Sequence, residues 1–269
     1  MKIIYKIKKQ VDDFVSSHKS LSYAKDIQSS YNKNNGHLRV GSITYYMFMS
    51  ILPLLIVSLT IFDIVFSSNP RIKQDLIDST LSTIPVIGPT LESNLSFVKE
   101  RGITLIITLT ILLWTVRRGA LALDSSLQAI SKRSHECSNV FTKILRAYGT
   151  MIIIGIGFFV PTLLSSIFNN NLLMQSLVLI FSILWNILLL FLIFVVLIDR
   201  KYATRKGTVI GGLAISLIQF FSVFIVSRSL ENSRPLYGTL AVVLALLIWI
   251  ALQIKIVLYS AVINTFDEK

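Results

Sequence analysis

Six long stretches of mostly apolar residues alternate with polar segments along this chain of 269 residues. The stretches cover approximately 43–66, 102–123, 147–168, 172–198, 209–229 and 238–264. A helix needs about 20 mostly apolar residues to cross a hydrocarbon core of about 30 Å. Because five of the six stretches reach that length comfortably, the pattern predicts an all-α polytopic membrane protein with six transmembrane helices.

The basic residues lie mainly in alternate gaps between these stretches. Most of the 26 Lys and Arg residues precede the first stretch, follow the second, or follow the fourth. The gaps on the other side are short and uncharged, or they balance basic with acidic residues. Since short loops rich in Lys and Arg stay in the cytoplasm, we expect both termini on the cytoplasmic side of the membrane.

Composition supports this interpretation and removes several classes of function. Hydrophobic residues make up 53% of the chain and charged residues 15%, against about 25% charged in a soluble domain. The net charge of +12 is explained by cytoplasmic loops, so it does not indicate a nucleic-acid partner. The single cysteine, Cys137, excludes an internal disulfide and a cysteine metal cluster.

The domain organisation follows from the same pattern. Residues 1–42 form a cytoplasmic amphipathic helical segment, and 43–269 form one six-helix membrane domain with an outer segment at 67–101. The first 15 residues either lie on an anionic inner leaflet or pack against the protein's own cytoplasmic face. The outer segment suits two short amphipathic surface helices, with a re-entrant loop at 81–91 as the alternative.

Charged and amide side chains inside the apolar stretches are the main candidates for a binding site, because placing them in lipid is costly. The candidates are Asp63, Arg117, Arg118, Gln219 and Lys255. Each has a simpler alternative. Asp63 can be an interfacial carboxylate, Gln219 can join two helices, and Lys255 can extend its ammonium to the inner headgroups.

The second stretch is short, because only Gly102 to Val116 lack charge before two arginines follow. We expect its helix to run on through Arg117 and Arg118 into the cytoplasm. The arginines then either reach phosphates or turn into the helical bundle.

Prolines and small residues predict how the helices bend and pack. Pro53 and Pro161 predict kinks in the first and third spans. Gly207 and Gly211 predict a close approach at the start of the fifth span. Asn186 is expected to hydrogen-bond to a neighbouring helix.

Signatures of catalysis are missing from the sequence. The three histidines are scattered and have no metal-ligand spacing. There is no phosphate-binding glycine loop and no nucleophile elbow. We therefore predict no catalytic residue, no cofactor and no metal.

Three motifs in order resemble the YihY/BrkB family of bacterial inner-membrane proteins. They are the first-span run at 41–55, the Trp114–Ala120 segment and the closing block from Tyr237 to Asn264. The resemblance implies six spans, cytoplasmic termini, a link to virulence, and export or movement of lipid-like substrates. The family's older ribonuclease label finds no support in these residues, since a nuclease needs a metal held by His and Asp clusters.

One departure from the family pattern concerns the closing block. The family commonly has Gly-Ala-Glu where this chain has Ser260, Ala261 and Val262, and an amide where it has Lys255. The acidic residue is absent here. Any function that the family's glutamate carries is therefore lost or rebuilt in this protein.

Two hypotheses of function remain after the ribonuclease is set aside. In the first, the spans surround a cavity with Arg117, Arg118 and Lys255 at its inner mouth, and the protein transports or handles an anionic amphipathic substrate. In the second, it is a non-catalytic scaffold that recruits partners through its basic cytoplasmic face. Anionic lipid headgroups are the expected partners, and a homo-oligomer is compatible with both.

Overall fold

The computed structural model describes residues 19–65, 103–132, 145, 146, 148–150, 153 and 172–267, and side chains for most of these. The described residues are helical and contain no strand. The helices are α1 (Lys19–Lys33), α2 (Gly36–Val65), α3 (Ile103–Ser131), α4 (Leu172–Leu197), α5 (Arg200–Ala203) and α6 (Lys206–Phe266). The predictions for residues 1–15, for 67–101, for Pro161 and for most of the third span lie outside the described residues.

A two-residue turn separates α1 from α2. Asn35 has a φ of 54°, a left-handed conformation that asparagine tolerates better than most residues. Gly36 follows because a Cβ at that position would lie 2.5 Å from Cδ2 of Tyr31. The carbonyl of Ser30, near the end of α1, accepts from both the backbone N–H and the side-chain amide of Asn34, at 3.1 Å and 2.8 Å.

Helix α2 continues through a proline, and helix α3 continues through two arginines that follow its apolar stretch. α2 contains Pro53 and continues to Val65, with Pro53 buried. α3 runs from Ile103 through Arg117 and Arg118 to Ser131. The prediction that the second span continues through its arginines is confirmed.

Helical backbone extends without a break through both the fifth and the sixth predicted spans. α6 has 61 residues, and a straight helix of that size would be about 90 Å long at 1.5 Å per residue. Yet Ser260 Oγ donates to the carbonyl of Gly207, and Asn264 reaches Thr208. The helical chain therefore turns back on itself, and its two ends run antiparallel.

Three helices of the described residues are long and apolar enough to cross a membrane. They cover Ile106–Ser131, Ser176–Leu197 and Val243–Phe266, and a shorter apolar helix covers Lys206–Phe221. The parts of the chain that the structure describes are thus helical and include apolar membrane-type helices, as expected. The full set of six spans and the cytoplasmic termini stay predictions.

The described residues fall into two compact units. Unit 1 takes those of Met1–Val40, Leu123–Ser216 and Ile254–Lys269, and unit 2 those of Gly41–Ala122 and Leu217–Gln253. Apolar residues at helical spacing form the core of unit 1: Leu123, Leu127 and Ile130 from α3, Leu190, Phe194 and Leu197 from α4, and Leu258, Ala261 and Val262 from α6. In unit 2, α3 approaches α2 closely at Gly119, where a Cβ would lie 3.3 Å from Cβ of Tyr46.

Candidate functional site

Tyr202 anchors the short helix α5 in unit 1. Its side chain is fully buried, and its hydroxyl donates to the carbonyl of Ala261 in α6. Its ring lies edge-on to Phe194 of α4, with centroids 5.7 Å apart. One residue therefore joins α4, α5 and the last turns of α6.

Asn264 forms the centre of a buried polar cluster beside Tyr202. Its Nδ2 donates to the Tyr202 carbonyl at 3.2 Å and to Oγ1 of Thr208 at 3.0 Å. Its Oδ1 is buried and has no donor, because the side chain lies directly against Gly207. A Cβ on Gly207 would stand 2.5 Å from that oxygen. The two ends of α6 thus meet through backbone, amide and hydroxyl groups.

The ends of α6 also cap each other. The Arg205 guanidinium donates through Nη1 to the carbonyl of Asn264 at 2.7 Å, near the end of α6, where carbonyls lack helical partners. Asp267 accepts from the backbone N–H of Lys206 at 3.4 Å and lies 3.5 Å from the Lys206 ammonium. A cation at the C-terminus of a helix and an anion at its N-terminus both interact favourably with the helix dipole.

Arg205 is held by a second contact as well. Its guanidinium carbon lies 5.4 Å from the centroid of the Tyr202 ring, within the range of a cation–π interaction. The side chain is half-buried, whereas Arg200, Lys201 and Lys206 nearby are exposed. Among the described residues of this region, Asp199 and Asp267 are acidic, against the four basic residues just named.

A groove of about 360 Å³ opens beside this cluster, between α4 and the start of α6. Its walls divide by chemistry. Leucine, isoleucine, phenylalanine and valine line one part, and Thr204, Arg205 and Thr208 line the other; the full lining is Leu184, Ile187, Leu188, Phe191, Ala203, Thr204, Arg205, Thr208 and Val209. This volume lies in the lower part of the range of about 300–1,000 Å³ for small-molecule sites. An apolar groove with a cationic end suits an amphipathic anion.

Small residues bring the walls of this region together. A Cβ on Gly211 would lie 2.6 Å from the Ser260 side chain and 2.7 Å from Cδ2 of Leu190. Asn186 of α4 donates to Oγ of Ser216 in α6 at 3.0 Å. Glycines and a buried amide thus set the spacing of α4 and α6 around the groove.

The predicted site residues do not form one cluster within the described parts. Lys255 belongs to unit 1, where its half-buried side chain places the ammonium 6.0 Å from the Tyr259 ring centroid. Arg117 and Arg118 are exposed on α3 in unit 2, and the Arg118 guanidinium lies 5.4 Å from the Trp114 ring. Both arginine side chains are exposed among the described residues, and their contact with headgroups stays a prediction.

Two further candidates belong to unit 2. Gln219 is half-buried on α6. Asp63 lies in the last turn of α2, and its side chain is outside the described residues.

Lys255 lies near an aromatic cluster that fixes α1. Tyr31 is fully buried, stacks on Tyr259 with centroids 4.3 Å apart, and meets His37 edge-on at 5.0 Å. Burial, and secondarily the neighbouring Tyr259, raises the pKa of the Tyr31 hydroxyl above its usual value. The Tyr259 hydroxyl donates to Oε1 of Gln28 in α1. The cluster docks α1 on the end of α6.

Sequence reasoning missed Arg205 and Thr208 at the polar end of the groove, and Tyr202 and Asn264, which contact them. Arg205 counted only towards topology, since it stands in a basic loop. A signal did exist, because Ser260 and Asn264 are polar residues four apart at the end of an apolar helix. The partners of that pair could not be identified without knowing that α6 turns back.

No group of three or more His, Cys, Asp or Glu side chains that could hold a metal ion occurs among the residues that the structure describes.

The sequence model of one protein family, described as Virulence factor BrkB, matches residues 27–269. No curated protein and no solved structure matches the chain.

Proposed function

The chain belongs to the family described as virulence factor BrkB, and from that membership we propose that it binds and moves an anionic, lipid-like substrate across or within the cytoplasmic membrane. The observation that carries the proposal is the groove between α4 and α6. It combines an apolar wall with a cationic end formed by Arg205, Thr204 and Thr208. The proposal includes no catalytic step.

The position of Arg205 supports recognition of an oxyanion. Guanidinium is planar and presents several donors, so it suits phosphate and carboxylate groups. Tyr202 and the Asn264 carbonyl hold the guanidinium in place, which lowers the entropy lost when a ligand binds. Thr204 and Thr208 line the same end of the groove.

The charge distribution supports a location at the inner headgroups. Arg200, Lys201, Arg205 and Lys206 lie within one short segment, and such segments attract anionic lipids at the cytoplasmic surface. In this arrangement the apolar wall on α4 faces the acyl region. Arg117, Arg118 and Lys255 are then secondary headgroup contacts, and we propose them as such.

The test measures binding and movement of a headgroup-labelled phosphatidylglycerol by the full chain in reconstituted vesicles. Leu188 lines the apolar wall and is 43% exposed, so Leu188→Trp fills the groove with little effect on the core. We expect binding and flux to fall by about tenfold, which corresponds to about 1.4 kcal/mol. Leu177→Trp is the matched control, because Leu177 is exposed on the same helix and is absent from the lining.

Phosphatidylcholine with identical acyl chains separates charge from chain recognition. We expect it to bind more weakly than phosphatidylglycerol, and we expect Arg205→Gln to remove that preference. Because Arg205 also caps α6, Arg205→Gln can lower stability as well as binding. Its lipid binding is therefore compared with that of Leu188→Trp at temperatures equally far below the melting temperature of each variant. Unchanged flux of both lipids in Leu188→Trp would contradict the proposal.

The scaffold hypothesis draws on the exposed side chains of Arg200, Lys201 and Lys206. It expects that replacing all three with glutamine abolishes partner recruitment while lipid movement persists. A truncation of residues 1–35 is a poor test, because Tyr31 is fully buried and its removal would disturb the packing of α1 on α6. The charge variant avoids that difficulty.

A further inference from the structure

Four polar residues lie on one face of α6: Trp249, Gln253, Ser260 and Asn264. At about 100° per residue, they fall within an arc of about 60°. The face runs along Val243–Phe266, one of the helices that can cross a membrane. Polar groups on such a helix require partners, because the hydrocarbon core of the bilayer supplies none.

Two of these residues, Ser260 and Asn264, form hydrogen bonds within the protein. Ser260 donates to the carbonyl of Gly207, and Asn264 donates to Tyr202 and Thr208. These bonds join the two ends of α6 and account for the polar character of both residues.

The other two residues, Trp249 and Gln253, have side-chain nitrogens without a hydrogen-bond acceptor. Nε1 of Trp249 and Nε2 of Gln253 are buried atoms without a hydrogen-bond partner. Both atoms are donors, and the indole nitrogen can only donate. Buried donors without acceptors are rare in native proteins, and each requires an explanation. Two of them one turn apart on the same face indicate a place for an acceptor.

We propose that Trp249 and Gln253 form a binding site for a carbonyl oxygen of a lipid-like molecule, such as the ester group that joins an acyl chain to its headgroup. Side chains four residues apart on a helix have Cβ atoms about 5–6 Å from each other, so both N–H groups can reach one oxygen. A carbonyl has two lone pairs and accepts both bonds.

The chemistry of the pair selects an uncharged acceptor. Neither side chain carries a positive charge, and an anion brought to membrane depth without a counter-charge is strongly disfavoured. Trp249 and Gln253 are each half-buried, so a ligand can approach along the accessible part of each side chain. A small rotation about the side-chain torsions then presents the donors.

This site lies in unit 2 and shares no residue with the groove of unit 1. It depends on the proposed function only in taking the ligand to be lipid-like. The two can therefore fail separately, because Leu188→Trp addresses the groove and Trp249→Phe addresses the carbonyl site.

The experiment uses the full chain in nanodiscs with ¹⁵N-labelled indole nitrogens. Three tryptophans give three indole signals, and Trp249→Phe assigns the relevant one. Three ligands share one chain length and differ in the acceptor: octadecane has none, methyl oleate has a neutral carbonyl, and oleate has a charged carboxylate. We expect methyl oleate to shift the Trp249 N–H downfield and octadecane to leave it in place.

Variants then test whether the donors carry the binding. Trp249→Phe keeps the ring and removes the donor, and Gln253→Met keeps the size and removes the other. We expect each to weaken methyl oleate binding by about tenfold, the usual magnitude for one hydrogen bond in a buried site. Leu252→Met on the same turn is the control, since Leu252 is an exposed apolar residue.

Four results would overturn the proposal. They are an indole shift that octadecane produces equally, binding of oleate but not of methyl oleate, unchanged methyl oleate affinity in Trp249→Phe, and an unliganded Trp249 signal that is already hydrogen-bonded and moves in Gln253→Met. The last result would mean that the two side chains bond to each other.

Discussion

The two ends of the polar face of α6 carry similar side chains in different circumstances. Asn264, in unit 1, donates twice and lies against Gly207. Gln253, in unit 2, has a buried amide nitrogen with no acceptor. Both are primary amides on the same helix face within a membrane-type helix. The two amides differ in whether the protein itself supplies a hydrogen-bond acceptor. An amide with such an acceptor stabilises the fold, and an amide without one is available to bind a ligand.

The comparison extends beyond amides. Tyr202 donates to Ala261, whereas Trp249 and Thr44 in unit 2 have buried polar atoms without partners. In unit 1, the Tyr31 hydroxyl and Oδ1 of Asn264 are also buried without a partner, although the Asn264 amide nitrogen donates twice. Residues with partners should therefore be costly to replace, and residues without partners should be cheap to replace unless a ligand is present.

The largest loss of stability is expected at Gly207, the glycine that lies against Asn264 and Ser260. Gly207→Ala would place a Cβ 2.5 Å from Oδ1 of Asn264 and closer still to the Ser260 carbonyl. Because part of this obstacle is backbone, we expect a loss of more than about 4 kcal/mol in the free energy of unfolding, or no folded protein. Thermal unfolding in detergent measures it.

A matched glycine provides the control for that substitution. A Cβ on Gly41, in α2, would meet nothing within 4 Å. Gly41→Ala should therefore stabilise by about 0.5–1 kcal/mol through helix propensity. Equal melting temperatures for the two variants would mean that Gly207 is not tightly packed.

The second effect tests the two amides directly. Asn264→Leu leaves Thr208 and the Tyr202 carbonyl without their donor in a fully buried position, so we expect a loss of about 2–4 kcal/mol. Gln253→Met removes a donor that has no acceptor, so we expect little change or a gain when no ligand is present. Thermal unfolding after extensive delipidation measures both. Similar losses in the two variants would break the comparison.

Much of this fold was predictable from the sequence, because apolar length and continuous periodicity identify helices locally. α3 running through Arg117 and Arg118 follows from the absence of any helix breaker. The helical segment Lys19–Lys33 also lies in the region assigned to cytoplasmic helix. These are properties of neighbouring residues, and the sequence contains them.

The candidate site was less predictable, because its contacts join residues more than fifty positions apart. Arg205 bonds to Asn264, and Tyr202 to Ala261, only after α6 turns back. From the sequence alone, Arg205 was therefore interpreted only as a basic loop residue that sets the membrane topology. Lys255 was favoured because charge within a span is conspicuous, yet its described neighbour is the ring of Tyr259.

The third effect compares two buried tyrosines of unit 1. Tyr202→Phe removes the donor to Ala261, and we expect a loss of about 1–2 kcal/mol. Tyr31→Phe removes a hydroxyl that has no partner and keeps the stacking on Tyr259, so we expect no loss and up to about 1 kcal/mol of gain. Chemical unfolding of both variants in one detergent measures the difference. A larger loss for Tyr31→Phe would show that its hydroxyl has a partner in solution.

The smallest effect concerns the ion pair that caps α6. The Lys206 side chain is 79% exposed and that of Asp267 28%, so the pair is screened, and Asp267→Asn should cost less than about 1 kcal/mol. The amide oxygen can still accept from the Lys206 backbone N–H, whereas Asp267→Ala removes that bond too. We expect Asp267→Asn to matter less as salt rises and the loss in Asp267→Ala to persist in part, as melting temperatures at low and high salt would show. If salt abolished both losses, charge alone would hold Asp267 at the start of α6, and the contrast between bonded and unbonded polar groups would not extend to this surface.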